Sequence, residues 1–300
     1  MSTEDANPEA IIVGSPLDGT RNRRTYKIGD SFADITGVVH SQYGFYYILP
    51  TTNITRLSSA TPEQTPPTSL TSDGTCSGLT IGDYNIENFG PSSPSHARKV
   101  AKHIAEHMSG PDVLFVQEVQ DDSGGGDDGV VGANVTLTVL TDAIKAAGGP
   151  EYAFTYISPV DKADGGNKPA NIRVAYLYKP NVVRLRNANP GTATDANEVL
   201  SGSGGATLKY NPGLINPANA CFLDSRKPLA AEWETVDGQN RFFTVNVHWS
   251  SKLGDRNSTL QGDFRPPINE GVVKRTQQAN VTAVSLPRGT PSPILDRSRA

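Results

Sequence analysis

The sequence predicts an α/β (α+β) fold, and three observations predict it. Between residues 79 and 122 a short apolar strand, a basic amphipathic helix and a second apolar strand follow one another, the pattern of a β-loop-α-β unit with a parallel strand pair. Further strand candidates at residues 152–157, 172–178 and 242–247 alternate with loops rich in Gly, Pro and Asn. A second helix, residues 135–147, places Leu137, Leu140, Ile144 and Ala147 on one face before Gly148-Gly149-Pro150 ends it.

Within the first unit, residues 79–86 alternate as a strand, carry Asn85, and are followed by Glu87; Asn88, Gly90 and Pro91 end the strand. Ser93-Pro94 starts the helix. Ala97, Val100, Ala101, Ile104, Ala105 and Met108 recur at three-four spacing on its inner face, and Arg98, Lys99, Lys102 and Glu106 stay outside. Gly110-Pro111 stops it. Residues 113–116 are then continuously apolar, as in a strand buried beneath crossover helices, and deliver Gln117 and Glu118 at its end. Asn85 and Glu118 therefore belong near the carboxyl ends of neighbouring strands, where open α/β folds place their chemistry.

A chain of 300 residues is long enough to bury a large core without a disulfide. Its 29 glycines and 22 prolines imply long loops. A net charge of -4 makes no global case for nucleic-acid binding and leaves room only for a local one. The two cysteines, Cys76 and Cys221, do not make a zinc site by themselves and permit one disulfide at most; free buried thiols are the alternative. Sequons at Asn53, Asn134, Asn257 and Asn280 favour a secreted, extracellular glycoprotein. Residues 1–10 are acidic and polar, with no signal peptide and no membrane span, which fits either an intracellular protein or a start that lies upstream.

Residues 1–50 read as a small β-rich unit, with strand candidates at 10–13, 35–39 and 43–49, too short to bury a core of its own. It has the look of a barrel remnant or of strands docked on the main domain. Tyr43, Tyr46 and Tyr47 suit ordinary strand packing better than stacking on bases. Residues 51–76, rich in Thr, Ser and Pro, read as a linker, residues 77–284 as the main domain and 285–300 as an irregular tail. The acidic loop 121–129 lacks the ligand alternation of a helix-loop-helix calcium site and reads as a mobile, solvated loop.

Two further clusters carry chemistry. Arg226-Lys227 precedes an apolar strand, and Arg226 has the planar geometry that clamps phosphate oxygens. Of the five histidines only His248 follows an apolar strand. Glu118, Asn85, Arg226 and His248 together supply a cation ligand set and a phosphate partner.

Tyr84-Asn85-Ile86-Glu87-Asn88, Phe115-Val116-Gln117-Glu118, the run from Asn171 through Arg173 and Tyr176 to Tyr178, Ser225-Arg226-Lys227-Pro228-Leu229, and Asn246-Val247-His248-Trp249-Ser250-Ser251-Lys252 occur in this order. Together they resemble the endonuclease/exonuclease/phosphatase superfamily, with its deoxyribonuclease-like fold, in its extracellular nuclease-like branch. The resemblance covers about residues 77–284. It implies a two-sheet sandwich flanked by helices, αββα, and a divalent cation at one end, Mg²⁺ with Mn²⁺ or Ca²⁺ as alternatives. By the resemblance Glu118 is the principal metal ligand, Asn85 an associated ligand or phosphate contact, and His248 the catalytic histidine. Arg173, Tyr176 and Arg226 are candidates to touch the substrate or the groups that do.

The implied reaction is metal-dependent phosphodiester hydrolysis by a nuclease acting on DNA or RNA. Phosphomonoester hydrolysis on phospholipid headgroups or inositol phosphates, and binding without turnover, are the alternatives. The family continues past its histidine strand with a helix, a Gly-Asp-Phe-Asn segment and a final Asp-His. Here residues 272–284 resemble the start of that helix, Gly262-Asp263-Phe264 precedes it, and the sequence ends at Ala300. The expectation is a fold incomplete at its C-terminus, a monomer if complete, with impaired catalysis.

Overall fold

The computed structural model describes residues 11–22, 25–42, 45–61, 65–73, 78–166, 169–251 and 271–285. It shows a mixed α/β fold with several β-sheets and a few helices. The chain divides into two compact units, Met1–Thr65 with Ser251–Lys274, and Pro66–Ser250 with Arg275–Ala300.

The first unit holds β1 (Ile12–Val13), β2 (Ser31–Phe32), β3 (Gly37–Gln42), β4 (Phe45–Pro50) and β5 (Arg56–Ser58). β4 pairs in parallel with β1 and antiparallel with β3, while β2 pairs with β5. β5 falls inside the stretch expected to be a linker; the Asp30 carboxylate fastens it by accepting from the Arg56 guanidinium at 3.2 Å and from Ala60 N–H at 3.0 Å. Among the described large apolar residues of this unit only Ile54 is buried, and Tyr46 is exposed rather than packed in its strand. Tyr43 lies outside the described residues.

The second unit opens with β6 (Ile81–Phe89), α1 (Pro94–Lys102), a π turn at His103–His107, β7 (Val113–Gln120), α2 (Asn134–Ala146), β8 (Ala153–Tyr156) and β9 (Ile172–Tyr178). β6, β7, β9 and β8 form one sheet in that order, with β6 and β7 parallel as the crossover helix requires. The helix starts at Pro94, as the sequence predicts; Ser93 contributes its carbonyl to Ala97 N–H and no side-chain cap. Its inner residues Ala97, Val100, Ala101 and Ile104 pack with Leu137, Leu140 and Ile144 of α2 and with Leu114, Val116, Ala175 and Leu177 of the sheet.

The alternation of β9 sends Val174 and Tyr176 to a different cluster, with Val113, Leu229, Ala231 and Trp233. The partner residues come from a second four-stranded sheet. In it β10 (Val183–Leu185), β13 (Gly213–Leu214) and β15 (Arg241–Asn246) each pair antiparallel with β14 (Leu229–Thr235). Between them a hairpin pairs β11 (Val199–Gly202) with β12 (Gly205–Leu208). α3 (Gly271–Val284) closes the described chain. No helix among the described residues is long and apolar enough to cross a membrane.

Candidate active site

Glu118 owes its position to a β-bulge. Opposite β9, Val116 pairs Ala175 and Val119 pairs Arg173, so Gln117 and Glu118 together face Val174. On the other side β6 spends three residues between its pairings of Asn85 with Gln117 and Phe89 with Val119. In an unbroken strand Glu118 would share the helix-covered face of Leu114 and Val116. The extra residue reverses the phase: Val119 enters that apolar cluster instead, and Glu118 comes to the strand end. The backbone bears the cost at Glu118, whose φ of 64° lies in the left-handed region.

Around this carboxylate the expected residues converge. Asn85 Nδ2 donates to Glu118 Oε1 at 2.8 Å and Asn88 N–H to Oε2 at 3.0 Å. His248 Nε2 stands 3.6 Å from Oε1, beyond hydrogen-bond length. Behind His248, Arg226 Nε donates to Nδ1 at 3.2 Å and its NH2 to Trp249 O at 3.1 Å. A nitrogen that accepts from a guanidinium carries no proton itself, so the imidazole is neutral with its proton on Nε2, facing Glu118. Burial and the Arg226 charge, opposed by Glu118, lower the His248 pKa to about 4. The structure holds His248 neutral at pH 7.

Arg226 is itself nearly buried, and its second anchor is the loop at 160–166. Lys227 forms an ion pair with Asp164 and also donates to Ala163 O at 3.1 Å. Burial raises the Asp164 pKa against the pull of Lys227 and Arg226. Gly165, φ 62°, lets this loop lie on Asp224, because a Cβ there would collide with the Asp224 carbonyl.

Two residues expected to touch the substrate or the groups that do are buried in the strand. Tyr176 is fully buried; its hydroxyl donates to Leu229 O at 2.7 Å and its ring meets Phe115 and Trp233 edge-on. Arg173 is 2% exposed and donates to Val119 O at 3.2 Å and Val131 O at 2.9 Å. Both sit on a strand covered on either face, so neither presents a surface to a substrate. Burial lowers the Arg173 pKa to about 10. The acidic loop is likewise fastened: Asp121 is fully buried and accepts from Ser123 N–H and Oγ and from Asn171 N–H. Cys221 is buried, whereas Cys76 lies outside the described residues, as does Asn257. Asn53, Asn134 and Asn280 are exposed, although Thr136 of the second sequon is buried and donates to Asp121 O.

Residues without an assigned role in the sequence reading support the site from behind. Gln117 Nε2 donates to Asp83 Oδ1 at 2.6 Å and to Asn246 Oδ1 at 2.9 Å, and Asn246 Nδ2 donates to Val116 O and Ala175 O. Gln278 of α3, fully buried, donates to Cys221 O and to Ser225 and Ser250 hydroxyls, and accepts from Ser250 N–H. The available signal was a polar residue directly before Glu118, one directly ending an apolar strand, and one amid a helical face.

The donor set bears on the metal. Among the described residues no three His, Cys, Asp or Glu converge to hold an ion. The Glu118 carboxylate fits Mg²⁺, which keeps most of its water and takes one or two carboxylates plus substrate oxygens, and does not fit a four-ligand zinc site; Asn85, expected as an associated ligand, instead turns its Nδ2 to Glu118 and its Oδ1 to Glu87 N–H.

Residues 1–61 match a family described as a domain of unknown function, DUF8508. No curated protein and no solved structure matches the chain.

Proposed function

We propose that the second unit is a phosphodiester-processing domain related to the endonuclease/exonuclease/phosphatase superfamily, acting on DNA or RNA with Mg²⁺. The observation that carries this reading is the run of contacts Asn85–Glu118–His248–Arg226, which joins the ends of β6, β7 and β15 with the segment entering β14. The finer architecture that goes with it is a two-sheet sandwich, β6-β7-β9-β8 against the β14 sheet, with α1 and α2 outside. The apolar cluster shared by Tyr176, Leu229 and Trp233 supports it.

In this reading Glu118 would hold the cation, and Asn85, whose Nδ2 donates to Glu118 Oε1 while its Oδ1 accepts from Glu87 N–H, orients that carboxylate. When bound, Mg²⁺ supplies positive charge to the non-bridging phosphoryl oxygens. Arg226 fixes the imidazole, so that His248 presents an Nε2 proton to a phosphoryl oxygen seated beside Glu118. Arg226 and Lys227, expected to clamp phosphate oxygens, are instead bonded to His248, Trp249 O, Asp164 and Ala163 O, and so serve to hold the imidazole and the 160–166 loop.

The test is hydrolysis of single-stranded DNA, duplex DNA, RNA and inositol phosphates under identical Mg²⁺ and chelator conditions, with Mg²⁺-dependent binding of each measured in parallel. Slow, Mg²⁺-dependent cleavage of a polynucleotide, lost in Glu118→Gln and His248→Ala, supports the reading. Preference for inositol phosphates moves the assignment to the phosphatase branch. Neither binding nor turnover, or activity untouched by Glu118→Gln, overturns it.

A further inference from the structure

The bond between Arg226 and His248 lies beyond the end of the ladder that joins their strands. β14 and β15 pair rung by rung from Glu234 with Arg241 to Leu229 with Asn246, and there the pairing stops. The residue before Leu229 is Pro228, which has no N–H to give. Even so, the two segments keep their register. Carried past Leu229 and Asn246, it sets Ser225 opposite Ser250, and those hydroxyls lie 3.4 Å apart. Arg226, next along, reaches across to Trp249 O and to the His248 ring.

Gln278 closes this open end from α3. It is fully buried, and its carboxamide reaches both segments. Oε1 accepts from Ser250 N–H at 3.0 Å, and Nε2 donates to Ser225 Oγ at 2.9 Å, to Cys221 O at 3.0 Å and to Ser250 Oγ at 3.1 Å. A backbone N–H that only gives and a carbonyl that only takes fix which way the carboxamide faces. Arg226 and His248 therefore lie between two fixed points, the last rung of the ladder on one side and Gln278 on the other. Ordering each backbone residue costs about 1–2 kcal/mol, and no ladder bond between Pro228 and Ser225 offsets it. The carboxamide supplies the missing tie.

We propose that Gln278 is the positioning residue for His248. It acts through Ser225, directly before Arg226, and through Ser250, shortly after His248. By locking those segments together it keeps Arg226 Nε on Nδ1, and so keeps the protonated Nε2 on the side of Glu118. The consequence for catalysis rests on the phosphodiester reading, whereas the effect on the Arg226–His248 bond stands without it.

The experiment is nuclear magnetic resonance of the full ¹⁵N-labelled chain at pH 7.5 without metal, reading the scalar coupling that passes through an N–H···N hydrogen bond. The unaltered chain should show it between Arg226 Nε and His248 Nδ1. Gln278→Met, which keeps the length and removes the amide, should abolish it. Tyr152→Phe, which strands Pro111 O at the opposite end of β7, should leave it intact. In the Mg²⁺ hydrolysis assays Gln278→Met should lower kcat by about 10²-fold, the cost of a misplacement near an ångström, with KM changed less than about twofold. Coupling that survives Gln278→Met, that disappears equally in Tyr152→Phe, or that the unaltered chain lacks overturns the proposal, as does an unchanged kcat where the unaltered chain is active. Should Gln278→Met fail to fold, the double variant Ser225→Ala with Ser250→Ala takes its place, with the same outcomes. If the unaltered chain hydrolyses no substrate, the phosphodiester reading falls and the coupling alone decides the role of Gln278.

Discussion

Exchanging Glu118 for glycine and for alanine isolates the strain stored in the bulge of β7. Both variants lose the same two hydrogen bonds, from Asn85 Nδ2 and Asn88 N–H, so their difference reports the backbone at that position. At φ 64° a residue with a Cβ stands about 1–2 kcal/mol above its right-handed alternatives, and glycine does not. Glycine in turn loses more freedom on folding, an opposing term of about 0.4–1 kcal/mol. The balance leaves Glu118→Gly more stable than Glu118→Ala by about 0.5–1 kcal/mol. In an ordinary strand the order is reversed by a similar amount. Urea unfolding followed by tryptophan fluorescence reads the transition of the second unit directly, because Trp233 and Trp249 both lie there. An alanine variant as stable as the glycine variant, or more so, would refute the argument that the bulge holds Glu118 in a conformation suited to glycine.

Other expectations follow from the same geometry. In metal-free protein His248 should titrate near 4 by NMR, and Arg226→Met should raise that value. Since its folded pKa lies below the ordinary 6.5, the unfolded chain binds the extra proton between the two. The contribution to stability is complete above about pH 6.5 and is lost as the pH falls toward 4, by up to about 3 kcal/mol; a His248→Gln variant should show a correspondingly flatter stability profile. Tyr176→Phe should cost about 1–3 kcal/mol in denaturant titration by stranding the Leu229 carbonyl, with no change in ligand binding. Gln278→Ala should cost a similar amount, since it leaves Ser250 N–H and Cys221 O without their partner.

The parts of this fold that were legible in the sequence are those with uninterrupted period. The inner face of α1, the parallel β6–β7 pair and the neighbouring ends that carry Asn85 and Glu118 all followed from spacing and from Gly and Pro punctuation. The bulge did not, because one added residue at Gln117-Glu118 changes no composition and only reverses which side chains face the helices. As candidate substrate contacts Arg173 and Tyr176 misled for a related reason. On a strand covered on both faces, a polar head can be satisfied by backbone carbonyls, Val119 and Val131 for one and Leu229 for the other, and then reads in sequence like a functional group. The partners of Gln117 and Gln278 come from strand ends and loops distant in sequence, and no local pattern encodes them.

The bond between Gln117 and Asn246 spans 129 residues, and the pair lies directly behind Glu118. Closing a loop of that length demands chain entropy before any contact repays it, whereas α1, β6 and β7 meet through a short crossover. During synthesis the helix-covered half of the sheet can therefore assemble early, with its carboxylate in place but its imidazole still untethered. A nascent chain that has not extended past β15 carries Asn85 and Glu118 at its strand ends with no imidazole beside them, so the constellation is completed only when the segment holding His248 folds back onto strands made long before it.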